Sequence, residues 1–428
     1  MGLFGHFTMG GPEEKAGRGC SALYKGLLNR VIKGYGSPSM KQKIFTRDFV
    51  LSFFSQFTST SITSMLLPTL PIYLSTLGAR KAEIGVLIGV FSVSSLIFRP
   101  FVGRGLVRVP EKRFMIIGTL IYLLSSMGYL FANPFLPLFL VRAFHGVGLA
   151  LYATAAFLLV TNIAPEAHRG QTLVYYFLAI NIATALAPAF GMFLINFSSF
   201  TALFLVCAGL SCCTLLITLQ LGKGQAVPLQ EPSERGSAFF SREALPPAII
   251  SLVSSILWGA ITAFFPLYAI SQKVENPGFF FAAYAATLIL MRGVGGRILD
   301  VYPREKVILP CFAAQTTAMI ILAFSTTLPM FILVAVVWAI GSSYLFPSLV
   351  LYAIERGGPS RRGPAMGTYT AFSDLGAGLG SVFMGILLEV SSYRTMFLSL
   401  ALSGVINFFY FYFSIFKKER KQKAHLEH

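Results

Sequence analysis

Apolar runs long enough to cross a lipid bilayer recur twelve times along this chain, and no other feature restricts its fold as strongly. They fall at about 48–75, 83–103, 114–132, 135–163, 171–197, 199–221, 246–270, 278–300, 307–327, 329–354, 364–388 and 394–416. A helix rises about 1.5 Å per residue, so ~20 apolar residues span a ~30 Å hydrocarbon core. A soluble reading fails on volume. Hydrophobic residues make up 55% of 428 positions and charged residues 12%, whereas a single soluble core stops growing near ~250–300 residues. The expected fold class is an all-α membrane protein of twelve transmembrane helices, with the lipid bilayer as solvent.

The net charge of +17 invites a nucleic-acid partner, but the basic residues sit in short loops between apolar runs and form no contiguous face. With the N-terminus inside, 29 of the 34 Lys and Arg fall in inner segments and only Arg80, Lys81, Lys273 and Arg394 in outer loops. Such a bias sets orientation, so both termini are expected in the cytoplasm and the chain in the plasma membrane. The five cysteines form no metal-ligand set, and neither a metal nor a cofactor is expected. The polar stretch 222–245 divides a bundle at 46–221 from a second at 246–416, with basic tails at 1–45 and 417–428. Residues 23–32 form a basic amphipathic piece suited to the anionic inner leaflet, and no signal-peptide layout precedes the first span. Leu426-Glu427-His428 resembles the remnant of an expression tag.

An internal repeat relates the two bundles. A shift of 193 residues lays Arg99, Gly103, Arg104, Leu106 and Pro110 on Arg292, Gly296, Arg297, Leu299 and Pro303. The same shift carries Arg169-Gly170 onto Arg362-Gly363, Tyr176 onto Tyr369 and Asn181 onto Asp374. Near the first and seventh spans, a shift of 195 aligns Pro71-Ile72-Tyr73 with Pro266-Leu267-Tyr268. Two six-helix halves repeated in parallel form the architecture of one large class of transporters.

From Phe45 to Lys418 the chain resembles the major facilitator superfamily. The stretch Gly103-Arg104-Gly105-Leu106-Val107-Arg108-Val109-Pro110-Glu111-Lys112 is a degenerate form of the family's loop signature between helices two and three. Its second-half copy, Gly296-Arg297-Ile298-Leu299-Asp300, keeps the acidic residue that Val107 replaces. The resemblance implies a cytoplasmic gate built from Gly103, Arg104, Arg108, Gly296, Arg297 and Asp300, with Asp300 as its acidic latch. Arg142-Ala143-Phe144-His145-Gly146-Val147-Gly148 is similar to the family's Arg-x-x-Gln-Gly-x-Gly pattern, with His145 at the Gln position. Ala187-Pro188-Ala189-Phe190-Gly191 matches the drug/proton antiporter branch at Pro188 and Gly191. That branch implies export by antiport.

The intramembrane ionisable residues are the first candidates for transport chemistry, because charge at that depth costs about 2.5–3.5 kcal/mol on insertion scales. Arg142 and His145 share a face of the fourth span, Asp374 lies deep in the eleventh, and Asn181 is its repeat mate. The expectation is that Asp374 faces Arg142 across the halves and that Asp374 or His145 carries the proton. Arg142 serves equally as an inter-helix strut and His145 as a packed neutral ring. Ser52, Gln56, Ser59 and Thr63 on the first span, and Ser251, Ser255, Trp258 and Thr262 on the seventh, recur at helical spacing. By the resemblance they line a central cavity; by local chemistry they equally bond their own backbones. Small residues at 179, 183, 187 and 191, and at 377, 381 and 385, suit close helix packing.

These features imply a monomeric secondary transporter that exports a small organic solute, driven by protons and by alternating access. A zwitterionic or anionic metabolite, a metallophore-like compound or a drug would suit Arg142. Proton-coupled uptake is the alternative in direction, and a membrane-embedded enzyme or a non-transporting sensor the alternative in class. The absence of a phosphate-binding loop disfavours ATP-driven pumping. Met40-Lys41-Gln42-Lys43 has the look of a basic start before a first span. A chain beginning at Met40 is expected to insert and transport as the full chain does, and loss of vesicle flux on that truncation would show that residues 1–39 contribute.

Overall fold

A computed structural model describes residues 45–106, 108–131, 135–165, 169–222, 241–295, 304–357 and 362–413. Among these, twelve helices follow one another and no strand occurs. They are α1 (Arg47–Thr76), α2 (Lys81–Gly105), α3 (Glu111–Phe131), α4 (Leu136–Ile163), α5 (Arg169–Phe197) and α6 (Phe200–Gln220), then α7 (Leu245–Ser271), α8 (Gly278–Gly295), α9 (Arg304–Phe324), α10 (Leu328–Gly357), α11 (Arg362–Val390) and α12 (Tyr393–Phe411). Val107, Gly296, Arg297 and Asp300 lie outside the described residues, as do the tails 1–44 and 414–428 and most of the stretch 222–245.

Helix starts follow capping chemistry. The hydroxyls of Thr46, Ser199 and Ser392 accept from the backbone N–H groups of Phe49, Ala202 and Thr395, at 3.2, 3.1 and 3.3 Å. Each satisfies a donor that the first helical turn leaves open. Ten of the described helices are long and apolar enough to span a membrane. The first helix falls short of that apolar standard because it carries Ser52, Ser55, Gln56, Thr58, Ser59, Thr60, Ser61, Thr63 and Ser64 in one stretch. Those groups must find partners inside the bundle.

The repeat is visible in the packing. In the first half α1 packs on α5, α2 on α4, α3 on α4 and α3 on α6. Their counterparts in the second half do the same: α7 on α11, α8 on α10, α9 on α10 and α9 on α12. The halves are joined by α2 with α11, the equivalent α5 with α8, α1 with α7, and a smaller meeting of α2 with α7.

The α2–α11 pairing is a backbone-to-backbone approach. A Cβ added at Gly85 would overlap the Ser381 carbonyl and press on the Cα of Gly385. Glycine is required there because the helices meet without side chains between them. At the end that the charge bias assigns to the outside, Ala82 N–H donates to Glu389 Oε2 at 3.2 Å and Lys81 sits 5.0 Å over the Tyr393 ring. Asn196 Nδ2 donates to Asn276 Oδ1 at 2.6 Å between α5 and the start of α8. Gly85→Leu is expected to destabilise the purified protein by about 1–3 kcal/mol, the usual range for overpacking. An unchanged thermal-unfolding midpoint would show that the seam opens without cost.

Candidate functional site

Arg142 is 2% exposed and turned into the first half. Its Nε donates to the Leu87 carbonyl at 3.1 Å and an Nη to the Ile88 carbonyl at 3.4 Å, while the guanidinium lies 4.6 Å from the Phe91 ring centroid. All three partners belong to α2. A cation buried among helices is tolerable on these terms, since carbonyl dipoles and an aromatic face replace water. The expected meeting of Arg142 with Asp374 is therefore corrected: backbone carbonyls of α2 take the guanidinium, and Asp374 pairs elsewhere.

His145, one turn along α4, is fully buried. Its Nδ1 lies 3.0 Å from the Tyr129 hydroxyl, and the rings of Phe91, Tyr122 and Tyr129 stand edge-on around it at 4.9 to 6.0 Å. Its Nε2 is buried without a hydrogen-bond partner.

Asp374 bonds across the halves to Arg99 of α2, with Oδ2 to Nη at 2.5 Å. Their side chains are 34% and 22% exposed, while Asp374 Oδ2 and Arg99 Nε themselves are buried. In the sequence Arg99 stands out only as the repeat mate of Arg292. Its lone position in an apolar run is the signal that could have found it. Pro100 follows it within α2, where a missing N–H and the ring's bulk interrupt the helical ladder.

The polar stripes of α1 and α7 divide by partner. Gln56 Oε1 accepts from the Tyr176 hydroxyl of α5 at 2.5 Å, and its Nε2 donates to Thr60 at 2.9 Å. Ser52 and Ser59 are buried. Ser255 and Ser373 of α11 lie with hydroxyls 2.8 Å apart. Trp258 is half-buried, its ring 5.5 Å from Trp338 and 5.7 Å from Tyr284. Thr63 and Thr262 instead donate to their own helices, at the Thr60 and Trp258 carbonyls (3.0 and 2.8 Å). A shift of 195 lays Gln56 on Ser251, and Ser251 lies beside Tyr369, the repeat mate of Tyr176. The tyrosine of α5 or α11 thus meets the same position of α1 or α7 in both halves.

The remaining candidates are dispersed. Asn181 is half-buried on α5. Pro188 and Gly191 are buried on the same helix, and a Cβ at Gly191 would press on the Met65 backbone of α1. Of the gate residues, Gly103 has open space beside it and Arg104 and Arg108 are exposed. Close by, Glu111 is buried and its Oε1 accepts from Asn162 Nδ2 at 2.6 Å. Lys112 donates to the Leu219 and Leu221 carbonyls at 2.7 and 2.5 Å, closing the end of α6. Arg142→Met is expected to lower stability by about 1.5–3 kcal/mol, the worth of hydrogen bonds to a charged group. A variant with wild-type unfolding would mean that the α2 contacts are incidental.

Comparison with known proteins places these features in a family. The sequence profile of the Major Facilitator Superfamily matches residues 52–276 and 248–428. An uncharacterized MFS-type transporter of Methanocaldococcus jannaschii, MJ1560, is 26% identical over 81% of this chain and 94% of its own length. The staphylopine export protein of Staphylococcus aureus is 23% identical, covering 75% of this chain and 84% of the relative. The quinolone resistance protein NorA of the same species is 22% identical over 80% and 90%. Among solved structures, the nucleoside transporter NupG superposes with a TM-score of 0.68 at 16% identity, over 86% of this chain and 98% of its own. The human organic anion transporter MFSD10 gives 0.64 at 14%, over 85% and 98%. At those identities the structures share the fold.

Proposed function

The chain belongs to the Major Facilitator Superfamily, and from that membership we propose that it exports a small organic solute in exchange for inward-moving protons. As a member it is a multi-pass membrane transporter of small molecules, and no enzymatic step is assigned to it. One half rocks against the other around a midplane site. The observation that carries this reading is the Arg99–Asp374 pair: a carboxylate within the membrane span bonded to the opposite half. Similarity to the staphylopine export protein and to NorA supports the outward direction.

Asp374 is the proton carrier in this reading, because Arg142 keeps its charge at all working pH values. His145 is a second candidate through its unpartnered Nε2. Gln56, Ser52, Ser59, Ser255 and Trp258 line the solute path, and Asn181 holds the position equivalent to Asp374. Arg142 positions α4 against α2. The solute is zwitterionic or anionic, whether metabolite, metallophore-like compound or drug, and Arg99 is its cationic contact, since Arg142 is enclosed. Residues 222–245 link the bundles, Asp300 latches the inner gate with Gly296 and Arg297, and the working unit is a monomer.

Reconstituted vesicles test the proposal. Wild-type protein is expected to accumulate solute under an imposed pH gradient. Asp374→Asn is expected to abolish that accumulation while sparing gradient-free exchange, because an amide takes no proton. Full proton-driven flux in Asp374→Asn would remove Asp374 from the coupling step. Binding without movement in the wild type would replace the transporter by a sensor.

A further inference from the structure

At the end that the charge bias assigns to the outside, helices of both halves surround an open cavity of about 630 Å³. Its floor is apolar: Ile72 of α1, Ile84 of α2 and Leu388 of α11 are buried there. Leu267 and Ile270 of α7 and the Tyr393 ring of α12 also line it. A cavity of this size, apolar with a few polar groups at its edge, suits a small organic molecule. Its walls come from both halves, so it has this form only while their outer ends are together.

Arg80, Lys81 and Glu389 lie at the rim, and they differ in how they are satisfied. Arg80 is paired within its own turn: an Nη lies 3.0 Å from Glu83 Oε1, and its backbone N–H donates to Glu83 Oε2 at 2.8 Å. Lys81 has an aromatic face, its Nζ 5.0 Å from the Tyr393 ring centroid, but no ion pair among the described residues. Glu389 uses Oε2 on the Ala82 N–H at 3.2 Å. The chain turn sets this rim. Gly78, at φ +80°, lets α1 end and α2 begin within four residues, and the Ala79 N–H donates back to the Leu74 carbonyl at 3.0 Å. A cation of the first half and a carboxylate of the second thus share one rim without bonding to each other.

The repeat supplies a contrast. A shift of 193 carries Asn196 onto Glu389, and the shift of 195 that relates α1 to α7 carries Lys81 onto Asn276. At the α5–α8 seam these two equivalent residues are amides and bond directly, Asn196 Nδ2 donating to Asn276 Oδ1 at 2.6 Å. A Cβ at Gly278 beside them would press on Met192. At the α2–α11 seam the same two positions carry opposite charges and stand apart over an apolar floor. That arrangement is complementary to a molecule with both charges and an apolar body.

We propose that this outer cavity binds a small zwitterion of the amino-acid class. Its carboxylate meets Lys81, its ammonium meets Glu389, and its apolar side chain lies on Ile72, Ile84 and Leu388. Lys81 donates N–H groups to the carboxylate while the Tyr393 ring stays beside it. Glu389 Oε1 accepts from the ammonium while Oε2 keeps the Ala82 N–H. An occupant held in this way touches both halves and favours the arrangement in which their outer ends are together. Bound from outside, it slows the transport cycle. That consequence rests on the export reading, whereas the site itself requires no transport.

Isothermal titration calorimetry on full-length protein in nanodiscs tests the site, with leucine as the probe. 4-Methylpentanoate and isopentylamine serve as the same molecule without its ammonium and without its carboxylate. Leucine is expected to bind, and Lys81→Gln and Glu389→Gln are each expected to weaken it by about tenfold, the scale of a hydrogen bond to a charged group. Lys81→Arg, which keeps the charge, is expected to retain binding. 4-Methylpentanoate is expected to depend on Lys81 alone and isopentylamine on Glu389 alone. The amide of Glu389→Gln still accepts from the Ala82 N–H, so its unfolding midpoint without ligand is expected to match the wild type, which distinguishes a lost contact from a misfolded variant. With leucine at about four times its Kd, hydrogen–deuterium exchange in 72–84 and 385–396 is expected to slow by roughly fivefold, because an occupant protects by a factor of one plus ligand over Kd. Absence of leucine binding in the wild type would overturn the site, as would binding that neither Lys81→Gln nor Glu389→Gln weakens. Binding without slower exchange would overturn the fastening of the two halves. If wild-type vesicles show no proton-driven flux while leucine binding depends on both residues, the export reading fails and the site stands. If proton-driven flux occurs while leucine binding ignores both residues, the site fails and the export reading stands.

Discussion

A bilayer offers no partner to a buried charge, and the arrangement of this transporter follows from how its few intramembrane ions are satisfied. Two solutions coexist on α2. The Arg142 guanidinium is absorbed by the Leu87 and Ile88 carbonyls and the Phe91 ring, which ties α4 to α2 within one half. Arg99, further along α2, is satisfied by Asp374 of the opposite half. The first bond lies within a unit expected to move as one piece. The second crosses the joint between units, and only such a bond is made and broken by their motion.

The surfaces around that joint suit movement. Gly85, Ser381 and Gly385 bring α2 and α11 into backbone contact, and Gly191 does the same for α5 against α1 within the first half. Close approach gains dispersion contacts over a large area while leaving few interlocked side chains. Polar groups of α1 and α7 find partners on α5 and α11, as Gln56 with Tyr176 and Ser255 with Ser373 show. Each half is thereby held together by internal hydrogen bonds, while the α2–α11 seam joins the halves by close backbone contact and the Arg99–Asp374 pair.

Pseudo-symmetry explains why the site is lopsided. The repeated fold places equivalent positions at equivalent seams, but side chains diverge freely where the backbone does not constrain them. Asn181 and Asp374 occupy one such pair of positions, Gln56 and Ser251 another. The architecture is common to both halves while the side chains at these paired positions differ.

Membrane class, helix number, approximate helix limits and the repeat are legible in the residues alone, because apolar run length and loop charge act locally along the chain. Helix ends are less so: the ninth apolar run extends to 327, whereas its helix ends at Phe324, and the third begins at 114, whereas its helix begins at Glu111. The depth of Arg142, His145 and Asp374 is legible for the same local reason. Their partners are not. Arg142 and Asp374 read as complementary because each lacks a visible counterion, yet an arginine is satisfied as well by carbonyls of a neighbouring helix as by a carboxylate. Sequence carries no record of which backbone atoms a rotated helix presents. Only the packing of α2 between α4 and α11 decided that Arg142 faces inward to its own half and that Arg99 reaches Asp374.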